Sequence, residues 1–139
     1  MKFGRLRNGA GVLLFFHVLS VLSFINERDY FDGLHDGDLE KFGRIFHPNA
    51  HLYATDGETI TDWAREEYFE IIRGRQSASE GGLARHDKIL SIHKAGPNTA
   101  LAIVNCAMPP RYFTDYLTLI RVGGRWQINS KTFHTDTHE

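Results

Sequence analysis

Apolar positions change period along this chain. Leu39, Phe42, Ile45 and Phe46 recur at helical spacing and Pro48 follows two residues later, the pattern of an amphipathic helix that stops before a proline. The preceding stretch, "INERDYFDGLHDGD", predicts a second short helix. It breaks where Gly37 permits a turn and Asp38 can cap the next N-terminus. "AHLYA" reads as a short strand and "TDGE" as the turn after it. Asp62 is placed to cap a third helix, whose first turn carries Glu66 and Glu67 at the positive end of the helix dipole. Its expected buried stripe is Ala64, Tyr68, Ile71 and Ile72, with Gly74 as the stop. Residues 75–84, "RQSASEGGLA", are polar and rich in Gly and Ser, and predict a mobile loop.

From Arg85 the period shortens. "RHDKILSIHK", "TALAIVNCAM", "YFTDYLTLIRV" and "RWQINSKTFH" are four extended segments, separated by "AGPN", "PP" and "GG". Connections this short require antiparallel neighbours. Helices first and a meander after them predict an α+β domain, with helices packed on one face of a curved, mainly antiparallel sheet. A chain of 139 residues fits one such domain.

Strand alternation puts Phe113, Asp115, Leu117 and Leu119 on one face and Tyr112, Thr114, Tyr116 and Thr118 on the other. Asp115 therefore points to the more apolar side. A buried carboxylate finds donors or takes up a proton. It then serves as an acid, base or acceptor for a ligand, or it forms a structural ion pair with Lys131 or Arg111. On the last strand, the parity that carries Trp126 and Ile128 inward reaches His134 if no bulge intervenes; a bulge turns Lys131 and Phe133 inward instead. His47 and His51 sit at element ends where imidazoles pass protons or cap. Tyr30 and Tyr53 either present phenols to a pocket or fill the core.

Other chemistry finds little support. Sixteen basic and 17 acidic residues give a net charge of -1, with no basic run interleaved with aromatics, so nucleic acid is not an expected partner. The single cysteine, Cys106, excludes an internal disulfide and reads as a small buried hydrophobe. Pro48 prevents "HPNAH" from presenting two imidazoles on one helix face, and no metal site is expected. No Ser-His-Asp order, phosphate loop or CxxC pair is present, and no cofactor is implied.

The N-terminus has two readings. Lys2, Arg5 and Arg7 precede "GVLLFFHVLSVLSFI", which reads either as a buried first helix from Val12, in a cytoplasmic protein, or as a secretion signal cut near Phe24. The run is shorter than the roughly 20 apolar residues of a membrane span. Residues 1–25 are thus set apart from a domain over 26–139, and deletion of residues 1–11 is expected to leave the fold intact.

Two short helices, a strand pair, a third helix and a long meander follow the order of the nuclear transport factor 2-like superfamily, which the chain resembles from about Asn26 to His134. Within it, "YFDGLHDGDLEKFGRIFHPNAHLYA", "RYFTDYLTLI", "GGRWQI" and "KTFH" are similar to the family described as "putative lumazine-binding". The resemblance implies a cone with a pocket between helices and sheet. It further implies a small apolar or aromatic ligand, or SnoaL-like isomerase, cyclase or dehydratase chemistry. A third possibility is a dimerisation or structural module without a ligand. The site candidates are Asp115 and His134 for catalysis, and Tyr30, His47, Tyr53, Phe113 and Lys131 for ligand contact. Pairing through the outer sheet face, with Tyr112, Tyr116, Leu101 and Ile103, predicts a homodimer.

Overall fold

The computed structural model describes residues 20–22, 24 and 29–138. Helix α1 (Tyr30–Asp36) and helix α2 (Leu39–Ile45) are separated by Gly37 and Asp38. Gly37 takes the left-handed conformation, φ 64°, which a glycine adopts without a Cβ clash. The Asp38 carboxylate accepts from the Lys41 amide at 3.0 Å, so one residue ends a helix and the next starts another.

Strand β1 (Phe46–Thr55) forms a hairpin with β2 (Ile60–Ala64), and helix α3 (Arg65–Arg73) follows at once. The expected Asp62 cap is corrected here. Asp62 lies within β2, paired with Tyr53 across the hairpin, and the helix starts only at Arg65, where the Glu67 side chain accepts from the Ala64 amide at 3.3 Å. The buried stripe shifts as well: Tyr68, Phe69 and Ile72 are buried, while Ile71 is exposed. Residues 75–84 are held more firmly than their composition suggests. Ser77 and Ala78 are buried, and the Ser79 amide donates to the His35 carbonyl at 2.9 Å.

The meander is β3 (Lys88–Ala95), β4 (Thr99–Met108), β5 (Arg111–Val122) and β6 (Arg125–Thr137). The six-stranded sheet has the order β2-β1-β6-β5-β4-β3. All its pairs are antiparallel except β1 with β6, which runs parallel. The fold is the α+β cone of the nuclear transport factor 2-like superfamily, with three helices on a curved sheet.

One irregularity decides what the sheet presents to its interior. Thr118 pairs with Ser130 and Leu119 with Ile128, so Asn129 is an extra residue on β6. An extra residue on one strand reverses the facing of everything after it. Trp126 and Ile128 are buried before the bulge and Lys131 is buried after it. His134 is exposed.

Phe42, Phe46, Tyr68 and Phe69 form the aromatic centre of the core, with Phe42 and Phe46 packed edge to face at 5.1 Å. Such pairs add about 0.5–1.5 kcal/mol beyond burial. Val21 is fully buried in the same core, and the Trp126 indole donates to the Ser20 hydroxyl at 2.9 Å. Residues 20 and 21 thus pack as part of the domain, upstream of the expected boundary at residue 25. Residues 1–11, whose deletion was expected to be tolerated, lie outside the described residues, as does most of the apolar run.

Candidate functional site

Asp115 is fully buried on the inner face of β5, opposite Val104 of β4 and Phe133 of β6. Its Oδ2 collects three donors. The Tyr30 hydroxyl donates at 2.5 Å, the Cys106 thiol at 3.3 Å, and the Lys131 ammonium lies at 3.4 Å. Each comes from a different element: α1, β4 and β6. Lys131 pairs with Leu117, two residues along β5 from Asp115, within diagonal reach for a long side chain.

Burial and pairing set the protonation states. Burial raises the Tyr30 phenol well above its ordinary range and the Asp115 charge adds to this, so Tyr30 stays a donor. Cys106 is raised for the same two reasons, burial first, and is an inert thiol rather than a nucleophile. For Lys131, burial works against the ammonium, but the Asp115 carboxylate outweighs it, with smaller help from Tyr68 and Cys106, and the net shift is upward. Three rings face the same nitrogen, those of Phe133, Tyr68 and Tyr30, at 5.2, 5.5 and 5.7 Å. Their electron-rich faces favour a desolvated cation.

Asp115 Oδ1 is buried without a hydrogen-bond partner among the described residues. An unsatisfied buried polar atom costs about 1–3 kcal/mol.

A cavity of about 200 Å³ opens above this pair. Trp63, Tyr68, Phe113 and Phe133 supply its aromatic walls, and Leu34 and Thr135 also line it. Lys131 forms part of the wall, with Arg75 and Arg111 as further cations. Asp115 does not line it; the carboxylate lies behind Lys131.

The structure brings Asp115, Tyr30, Lys131 and Phe113 together and leaves three candidates outside. His134 is corrected by the Asn129 bulge: it points to the outer face, opposite Thr114, and meets Asp136 at 3.0 Å. Tyr53 also lies outside, stacked on His51 at 5.9 Å, and lines an outer groove with His134 and Ile60. His47 accepts from the Asn49 amide at 3.1 Å at the start of β1. His51 pairs with Asp62 at 2.6 Å. Trp63, Tyr68, Arg75 and Thr135 were not anticipated as pocket residues. Helical spacing assigns Tyr68 to the core, and only the folded sheet brings Trp63 of β2 beside Phe133 of β6, 6.1 Å apart. Among the described residues no group of His, Cys, Asp and Glu is arranged to hold a metal ion.

The family model described as "Putative lumazine-binding" matches residues 19–134. The chain belongs to that family. A curated protein named "Aldolase FrzH", from Cladobotryum sp, is 27% identical over 109 residues, covering 76% of this chain and 82% of that protein. Among solved structures, an NTF2-like protein of unknown function from Shewanella baltica is similar with TM-score 0.72 and 23% identity, over 91% of this chain and 97% of that one. Another from Silicibacter pomeroyi has TM-score 0.70 and 19% identity, over 86% and 96%. At these identities the structures establish the fold, and the family's site must be read from the residues themselves.

Proposed function

We propose that this protein binds a small cyclic or aromatic molecule in the cavity above Lys131. One observation carries the reading: a buried ammonium stands in the wall of an aromatic cavity, while its counter-charge is sealed behind it. Among the described residues Asp115 is the only carboxylate in salt-bridge contact with that ammonium. A ligand acceptor oxygen entering between the rings meets a donor already desolvated and held in place, which lowers the cost of binding. The family's description, a ring-bearing ligand, supports the same class. Native mass spectrometry on protein purified without added ligand tests it. The wild type should retain a small molecule that Lys131→Met loses. A ligand-free wild type would favour the reading as a structural module.

Similarity to "Aldolase FrzH" favours a second reading, catalysis on a carbonyl compound, including the isomerase, cyclase or dehydratase chemistry of SnoaL-like proteins. Lys131 would then polarise a carbonyl oxygen as a proton donor, and Asp115 would act through it. An ammonium held this way does not form a Schiff base. Borohydride reduction with 2-naphthaldehyde, followed by peptide mapping, should leave Lys131 unmodified; an adduct there would reverse its role.

We also propose a homodimer through the outer sheet face. Tyr116, 52% exposed, lies there beside Ile103, with Leu101 two pairs further along on the same face. Light scattering at micromolar concentration should give twice the chain mass. The burial of Val21 supports a retained N-terminal helix in a cytoplasmic protein over a leader cut near Phe24. Intact mass from the native cell decides between them. Among the described residues no helix is long and apolar enough to cross a membrane.

A further inference from the structure

The charges around the cavity are one-sided. Lys131 is neutralised by Asp115 behind it, which leaves Arg75 and Arg111 as uncompensated cations on the lining. Neither guanidinium forms an ion pair with a carboxylate among the described residues; the contact recorded for Arg111 is with the Phe113 ring at 6.0 Å. Asp36 and Glu80 border the depression on the other side of Arg75, but neither forms a salt bridge with it. Among the described residues no acidic residue lines the cavity itself.

Two unpaired arginines at the entrance of an aromatic slot form a directional receptor. Guanidinium groups match a carboxylate in geometry and charge, and the rings behind them accept a flat apolar body. Arg111 is exposed and Lys131 is buried, so the cations are graded from rim to floor. The cavity, about 200 Å³, lies below the roughly 300–1,000 Å³ usual for drug-sized ligands, and one or two rings fill it.

Resting on the small-molecule reading above, we infer that the pocket selects aromatic or cyclic carboxylates of one or two rings. The carboxylate faces Arg75 and Arg111, and the ring lies against Trp63, Phe113 and Phe133. Charge-assisted contacts of this kind outweigh neutral ones, so the anion binds in preference to its uncharged isostere.

Calorimetry with 2-naphthoate and 2-naphthamide tests the selection. The wild type should bind the acid at least about tenfold more tightly than the amide. In Arg75→Gln/Arg111→Gln that preference should collapse to within about threefold, through a larger loss of affinity for the acid than for the amide. Equal affinities in the wild type, a preference that survives in the variant, or no naphthoate binding would each overturn the inference. The pocket reading is judged separately, by whether the purified wild type retains a molecule in native mass spectrometry.

Discussion

Strand β6 supplies Lys131 to a contact with Asp115 of β5 and both members of a contact between His134 and Asp136, and the two differ in every physical respect. Lys131 and Asp115 meet on the inner face with side chains 6% and 0% exposed. His134 and Asp136 meet on the outer face with side chains 70% and 59% exposed. Water screens the outer pair, and such contacts contribute little. The inner pair has lost its water. Its members depend on each other, because removing one leaves the other's charge buried without compensation. The one-residue bulge at Asn129 determines which pair falls on which face.

The contrast sets the expected size of each substitution. Asp115→Ala should cost about 3–5 kcal/mol in denaturant unfolding, because it strands the Lys131 ammonium and the Tyr30 hydroxyl. The neutral double variant Asp115→Asn/Lys131→Met keeps the volumes and should lie within about 1 kcal/mol of wild type or above it. A double variant as unstable as Asp115→Ala would mean that the pair holds the fold together. Val21→Ala should cost about 2 kcal/mol, from lost burial and the cavity left behind; a neutral result would separate residues 20–22 from the core. At the outer pair, His134→Ala should change stability by about 0.5 kcal/mol or less and leave ligand retention intact.

Alkaline pH separates the pairs too. The folded values of Tyr30 and Lys131 are both raised above their ordinary 10.0 and 10.5. Their contribution is therefore complete below those values and is lost as pH rises beyond them. Urea unfolding followed from neutral pH to above 10.5 should show a fall that Tyr30→Phe/Asp115→Asn/Lys131→Met, which leaves no stranded carboxylate, flattens. His134→Ala should leave the fall unchanged.

Much of this architecture was legible in the chain. Gly37 and Asp38 mark the break between helices because one tolerates a left-handed turn and the other caps. Alternation along β5 places Asp115 inside, and "AGPN", "PP" and "GG" mark the connections of the meander. The bulge was less legible. No glycine or proline marks the extra residue at Asn129, so the sequence leaves two facings open, with His134 inward in one and Lys131 and Phe133 inward in the other. The start of α3 is harder to read, because Asp62 is a good cap by type, yet its backbone is consumed by the hairpin with β1. The pocket walls were hidden for another reason. Phe113 and Thr135 face each other across the β5–β6 pair, but Trp63 and Arg75 join them only through the parallel contact of β1 with β6 and the return of the chain after α3.

The most direct measurement is nuclear magnetic resonance of the lysine side-chain nitrogens. If Asp115 holds Lys131 as an ammonium in the cavity wall, its Nζ signal should remain that of an ammonium through about pH 11, beyond the ordinary lysine value. In Asp115→Asn, burial without a counter-charge should make it titrate below the surface lysines. A Lys131 signal that titrates with the surface lysines in both proteins, or is neutral near pH 7 in the wild type, would contradict the buried pair and the donor role built on it.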